Sequence, residues 1–496
     1  MKALVFFIIM MGLISLLPFS VFSQLFSLDL DDYLSRLADN SCRGIALDSS
    51  GCIYVTGYTR SAEFPRRNAF QSRKEGREDA FVAKFSSSGS TLIYSTYLGG
   101  GNREKGEGIA VDHFQCPVIV GMTDSSDFPC HNAYQPKLAG RLDAFIARFD
   151  SSGSALVYST YLGGSRDDAA FDIALDGDGN AYLGGETISP DFPTDNSFQS
   201  SKGSWEQDVF VAKLTSSGSG IIYSTYLGGK GVDFGGHIAL DRDRQIYITG
   251  TTWSDDFPTR DCYSPARAGK YDVFVGKLSS SGSSLLYSTY LGGEGIDFGN
   301  DITVDQSGAA YIAGFTIGGG FPLLNSFWMH DDEEGDAFIS ILSPTGSVLL
   351  LSACFGTEGI ETGLGVVLDS NKNVYLTGTS NNAQFPLRNP FQAEWGGDED
   401  LFLIKLSPGG GNVIYSSYLG GDEYERPYGI AIRSSGNVLI AGCTYSYNFP
   451  LKSPIQAAMP GLSAGFISEI SYSGSSLLFS TFLGGTSPLT RIIHEN

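Results

Sequence analysis

A heptapeptide, YSTYLGG, returns along this chain at a fixed step. It occupies residues 94–100 and returns at 158–164, 223–229 and 287–293. Altered copies follow: LSACFGT at 351–357, YSSYLGG at 415–421 and FSTFLGG at 479–485. The step is 64 residues, once 65. A constant period of this size marks a repeat architecture, in which each unit buries its apolar faces only against its neighbours.

Three further marks keep the step. Phe-Pro begins at Phe64, Phe128, Phe192, Phe257, Phe321, Phe385 and Phe449. Asp-x-Phe begins at Asp79, Asp143, Asp208, Asp272, Asp336 and Asp400, and Ala464 takes that place in the last copy. A GIALD-like run begins at Gly44, Gly108, Asp172, His237, Asp301, Gly365 and Gly429. Seven complete units therefore fill residues 41–487, with a leader or decayed strand at 24–40 and a short tail at 488–496. Within the leader, DDYL at 31–34 falls where STYL would fall one period earlier, although the leucine spacing there also suits a helix.

Each unit carries four short apolar runs separated by turn residues. In the first unit they are residues 45–48, 52–56, 80–85 and 92–98, designated a to d. Tight Gly/Ser turns join a to b and c to d, about 20 residues join b to c, and a Gly-rich link leads to the next unit. Four strands in meander order are a propeller blade, so the chain is expected to be all-β, a seven-bladed β-propeller with one repeat per blade. Side-chain size agrees. Run a carries small residues (Ala46, Ala110, Ala174, Ala239, Ala431), suited to the crowded axis, whereas run d carries paired aromatics suited to the wider rim. A parallel β-helix would not need this taper. The a–b and c–d turns lie on one face and the long b–c loops on the other, where binding is expected.

The formal charge of −22 argues against nucleic acid or an anionic membrane as partner. Residues 1–23 read as a secretory signal, with Lys2 ahead of an apolar run and small residues before Gln24; the alternative is a retained anchor. Cleaved, the chain would have no membrane span and would be secreted, periplasmic or held at the cell surface. The seven cysteines are scattered through the repeat, so most are read as small buried residues, with one or two disulfides allowed.

YSTYLGG, Asp-x-Phe, Phe-Pro and GIALD with a following Gly-Asn-x-Tyr, best preserved at 179–182, resemble the SBBP repeat of exported bacterial proteins. The resemblance implies a seven-bladed β-propeller and an extracytoplasmic location; it implies no chemistry.

Residues present in every blade are read as serving the blade. The Asp of Asp-x-Phe is expected to accept loop N–H groups, and Phe-Pro to pin the long loop. Asp48 and its equivalents are expected to close the a–b hairpin, a set that Arg433 breaks. Asp176–Asn180 (DGDGN) begins like a calcium loop but lacks Gly at its sixth position and an acid at its twelfth.

Candidate sites lie where the repeat is broken. At the first position of the GIALD run, three consecutive units carry Asp172, His237 and Asp301, where the other four carry Gly. These three could meet near the axis as an acid/base or metal site. Acids four residues after each LGG-type turn, among them Asp168, Asp233 and Asp297, are expected on the links at the channel mouth. There they either hydrogen-bond the Gly-rich backbone locally or, with Asp172 and Asp301, hold a hard cation such as Ca2+. All four tryptophans, Trp205, Trp253, Trp328 and Trp395, fall in b–c segments and are candidates for ligand binding. No HExxH, P-loop or zinc-like spacing occurs. Three functions stay open: a binding or adhesion module for a glycan or protein ligand on the long-loop face; a hydrolase or lyase with an axial acid/His site; and an envelope component with no discrete ligand. Oligomeric state cannot be read from the chain.

Overall fold

The computed structural model describes residues 39–325 and 335–486. The signal segment, the DDYL segment, Trp328 and the tail lie outside the described residues. The described chain forms seven four-stranded antiparallel sheets, each in sequential meander order. Blade 1 consists of β1 (Asn40–Leu47), β2 (Ile53–Thr59), β3 (Asp79–Phe85) and β4 (Leu92–Leu98). Six equivalent blades follow, spanning residues 104–162, 168–227, 233–291, 296–355, 361–419 and 425–483. Their strands are called a to d, as in β1 to β4. Strand a contacts strand a of both neighbouring blades, and β1 contacts strand a of blade 7, so the ring is closed with these strands innermost. No helix among the described residues is long and apolar enough to cross a membrane.

Strand a is longer than the apolar run predicts. It begins at Asn40, one residue inside the segment read as leader, and includes the position of the repeated acid. A β-bulge between Cys42 and Gly44 turns Arg43 out of register, and the same irregularity recurs in every blade.

Hydrophobic packing occurs between blades. One cluster joins Tyr54, Val82 and Tyr94 of blade 1 to Ile119, Phe145 and Phe149 of blade 2. Another joins Leu439, Ile467 and Phe479 of blade 7 to Val55, Phe81 and Phe85 of blade 1. The first residue of each heptapeptide, aromatic in all but Leu351, is overlain by the c–d turn of the next blade. A Cβ at Gly153 would meet the Tyr94 ring at 2.4 Å, and one at Gly218 would meet Tyr158 at 2.2 Å. These turn glycines also have positive φ, 70° and 69°, so two constraints select Gly there. Gly89 lies on Phe479 in the same way across the closure. Blade 7 supplies its own strand d, Leu477–Leu483, and among the described residues no strand is exchanged to close the ring.

The repeated residues hold each blade much as the sequence suggests. Asp79 accepts from Glu75 N and Gly76 N at 2.9 and 3.0 Å. Phe64 packs on Phe81 with ring centroids 4.4 Å apart. The second heptapeptide tyrosine anchors the loop: Tyr161 Oη donates to Ser125 O at 2.6 Å and accepts from Phe128 N at 3.1 Å. Asp48 accepts from Ser50 N and Cys52 N, both at 2.9 Å, closing the a–b hairpin, and Asp176 does the same within DGDGN. All seven cysteines are free thiols.

Arg433 has a role that the pattern of hairpin acids does not suggest. In regular blades the hairpin Asp faces a cation on strand c, such as Asp48–Lys84 at 3.5 Å and Asp176–Lys213 at 3.2 Å. That cation can reach a carbonyl on the next blade's c–d turn, as Arg148 does at Ser216 O (3.0 Å) and Lys405 at Tyr472 O (3.0 Å). Blade 7 inverts the pair. Arg433 is on the hairpin, Glu469 on strand c, 2.8 Å apart. Arg433 then reaches Ser87 O and Gly51 O of blade 1, both at 2.7 Å.

The long b–c loops depart from expectation. They do not stand over their face; they turn down the rim and pair with the outer edge of strand d, through bridges such as Arg67–Ser95 and Gln71–Tyr97, with counterparts in the other blades. A strand d left bare would expose a row of unpaired N–H and C=O groups. Gln71 fastens the return, accepting from Gly99 N (3.0 Å) and donating to Asp79 (3.1 Å). What remains on the loop face is the channel mouth, bordered by the starts of the inner strands.

Candidate functional site

The residue at the bulge and the residue after it form two rings on the innermost strands. The second of these rings contains the three residues that break the repeat. Asp172, His237 and Asp301 converge from blades 3, 4 and 5, each offering one ligand-type atom, and these atoms lie within 4.8 Å of one another. Both carboxylates are held by backbone N–H groups. Asp172 accepts from Ile173 (2.7 Å) and from Ile238 on the next blade (2.9 Å). Asp301 accepts from Ile302 (2.8 Å) and Val366 (2.7 Å) in the same manner. Burial, with the charge of Asp172 added, pushes Asp301 up to about 8. Burial also raises Asp172, against the pull of His237. It lowers His237, against the pull of Asp172. Two carboxyls and an imidazole whose charges are opposed by their surroundings can hold and exchange a proton near neutral pH. As a metal site the set supplies two carboxylates and one nitrogen. That falls short of the six to eight oxygens calcium prefers and suits a transition ion better.

Asp168, Asp233 and Asp297 are not part of this group. They are buried at the start of strand a in their own blades, where each accepts the N–H of the second LGG glycine: Gly164 at 2.8 Å, Gly229 at 2.7 Å and Gly293 at 2.8 Å. Burial pushes Asp168 up to about 6 and Asp233 to about 7, and does the same to Glu104 (about 7) and Glu425 (about 8). The expected acidic ring at the mouth is thus a set of structural hydrogen-bond acceptors. Asn40 fills the place in blade 1, accepting from Gly485 N (3.2 Å) and Thr59 Oγ1 (2.7 Å) and so tying blade 1 to blade 7.

The described tryptophans are in three different settings. Trp205 is 86% exposed on the b–c loop of blade 3. Trp395 packs against the core between blades 5 and 6. Trp253 directly follows strand b of blade 4 and belongs to an aromatic group at the loop-side mouth. It stacks on Tyr271 (centroids 6.0 Å), which stacks on Phe298 of blade 5 (6.4 Å). Phe234 lies 5.7 Å from Phe298, and Phe315 lies 6.0 Å from it. All five rings are half-buried. Phe234 and Phe298 occupy one position of strand a, where the other blades carry Ser41, Lys105, Ala169, Thr362 and Arg426. That departure from the repeat was the available signal for them.

The opposite arc of the mouth, on blades 7, 1 and 2, is basic. The Arg43 guanidinium lies 3.8 Å over the Tyr428 ring and 5.5 Å from Tyr58, which Lys105 approaches at 5.0 Å. Glu107 is 3.8 Å from Arg43. The mouth therefore has an aromatic arc, a basic arc, and an acid–imidazole group in the channel.

A family profile described as a β-propeller repeat, SBBP, matches residues 33–65, 157–193, 222–258 and 286–322. Regulatory protein FlaEY of Caulobacter vibrioides is 22% identical over 418 residues, covering 80% of this chain and 42% of FlaEY. The chain thus spans less than half the length of that relative. Among solved structures, BamB from Moraxella catarrhalis aligns at 11% identity and a TM-score of 0.38, covering 81% of this chain and 95% of BamB. A PL25 ulvan lyase aligns at 11% identity and a TM-score of 0.46, covering 90% and 95% respectively.

Proposed function

We propose that this chain, which belongs to the SBBP β-propeller repeat family, works outside the cytoplasm as a binding or adhesion module that holds a glycan at the loop-side mouth of its channel. The observation that carries this reading is the half-buried aromatic group Trp253, Tyr271, Phe234, Phe298 and Phe315. Half-buried flat rings can match the C–H faces of sugar rings, and Trp and Tyr add a polar edge. A protein ligand would need a wider patch than these five rings. Export rests on the charged and apolar start of the chain, Lys2 and residues 3–17.

A glycan array probed with the full chain tests the reading. Binding should weaken on Trp253→Ala and on Tyr271→Ala while the far-UV circular dichroism spectrum stays unchanged, and Trp205→Ala should have a smaller effect. An array without hits would favour an envelope component with no discrete ligand. The grouping of Asp172, His237 and Asp301 supports a second reading, in which the bound glycan is also cleaved by acid/base chemistry in the channel. Product release from array hits, lost on His237→Gln, would distinguish it.

A further inference from the structure

The inner strands point backbone N–H groups into the channel, and this chain already shows what those groups bind. Asp172 bridges the N–H of its own blade to that of the next, Ile173 to Ile238. Asp301 bridges Ile302 to Val366. On four of the seven blades, this N–H therefore meets a carboxylate oxygen, and each carboxylate spans one blade junction. The three equivalent residues left are consecutive around the ring: Ile430 of blade 7, Ile45 of blade 1 and Ile109 of blade 2. At the position from which Asp172 and Asp301 reach, these blades carry Gly429, Gly44 and Gly108. A Cβ at Gly429 would point to within 3.0 Å of Ile45 N, and one at Gly44 to within 3.2 Å of Ile109 N. The direction is the one the two aspartates take, and the wall there is made of backbone and the Cγ2 methyls of Ile45 and Ile109.

The same blades carry the basic arc. Lys105 and Arg426 are second in their inner strands, and Arg43 stands at the bulge of β1. Three cations here face one carboxylate, Glu107, so on a chain of formal charge −22 this arc of the mouth opposes the overall field. Backbone N–H groups and a guanidinium on one side of a half-buried channel favour a planar, two-oxygen anion.

We propose that the arc of blades 7, 1 and 2 binds a ligand carboxylate, making the ligand an acidic, uronate-bearing glycan whose sugar face lies on the aromatic arc opposite. The carboxylate takes the backbone N–H groups of Ile45 and Ile109, as Asp172 takes those of Ile173 and Ile238, and Arg43 and Lys105 neutralise it from the mouth. The inference rests on the glycan-binding reading and adds the charge of the ligand.

The test uses the full chain and two probes of equal length, oligogalacturonate and its methyl ester, which keeps the sugar and removes the charge. Calorimetric affinity for oligogalacturonate should exceed that for the ester by about tenfold or more and should fall with added salt. Arg43→Gln and Lys105→Gln should each erase most of that preference. Gly44→Asp, which supplies a carboxylate from within, should abolish it. Lys105 is the safer variant, because Arg43 packs between Tyr58 and Tyr428. Free galacturonate that competes fully would place the whole recognition on the single carboxylate. Equal binding of both probes, still dependent on Trp253, would overturn the acidic ligand and leave the glycan reading standing. Binding of neither would overturn both.

Discussion

Asp233→Asn should flatten part of the pH dependence of stability without loosening the fold. Asp233 is fully buried, accepts from Gly229 N (2.7 Å) and Ser254 Oγ (2.8 Å), and is raised by burial to about 7. In the unfolded chain it titrates in the ordinary carboxyl range near 4. Between those values the folded state holds more protons than the unfolded state, so stability falls as pH rises through the window and levels off above the folded value. Integrated from pH 5 to pH 8, this one group removes about 2–3 kcal/mol. Asn keeps an acceptor for Gly229 and Ser254, and the second carboxylate beside Gly228, Asp208, is placed to take its N–H. Asn40 already fills the equivalent place in blade 1. Urea unfolding at pH 5 and pH 8 is the assay. The variant should match the wild type at pH 5 and exceed it by about 2–3 kcal/mol at pH 8, while the slope from Asp168, Glu104 and Glu425 persists. Equal destabilisation at both pH values would refute the reasoning, because Asp233 would then be needed as a charged acceptor.

The two tyrosines of one heptapeptide should respond oppositely to loss of the hydroxyl. Tyr158 Oη is buried without a hydrogen-bond partner and Phe479 fills that place in blade 7, so Tyr158→Phe should be neutral or stabilising; Tyr161→Phe should cost about 1–3 kcal/mol, because Phe128 N and Ser125 O lose their partner. Thermal melts of the two variants decide this. Arg433→Ala or Glu469→Ala alone should cost roughly 3 kcal/mol, since each strands a largely buried charge. The double variant Arg433→Asp with Glu469→Lys should recover most of that, because the new lysine takes the place from which Lys405 reaches Tyr472 O. A double variant no more stable than the singles would sink that account.

Blade number, strand order and the duties of Asp79, Phe64 and Asp48 were legible because each unit states them again, and repetition separates structural residues from local ones. The fate of the long loops was not legible. Their length suggested a binding face, whereas the bare edge of strand d draws them down the rim. For Asp168, Asp233 and Asp297 the sequence offers two readings, hydrogen bonding to the Gly-rich backbone and an anionic ring, and the structure shows the first: glycines without side chains let the chain fold tightly around the carboxylate. Asp172, His237 and Asp301 were found because they interrupt the repeat, and the structure brings them together. Phe234 and Phe298 interrupt it too. An apolar residue in a strand attracts no notice until its neighbours around the ring prove to be Lys105 and Arg426.

The inverted pair in blade 7 bears on how such rings can be rebuilt. Arg433 and Lys405 stand at different positions in their blades, yet each delivers a cation to the same kind of acceptor, a turn carbonyl of the next blade. At the junction of blades 7 and 1 the donor brings both members of the charge pair and the recipient offers turn carbonyls. Elsewhere the recipient adds side chains: the Tyr472 ring lies under Lys405, Gln115 meets Lys84, and Lys372 of blade 6 pairs with the hairpin acid Asp305 of blade 5. In shuffled or permuted rings of these units blade 7 would therefore carry its latch with it, whereas the other blades would need a matching neighbour.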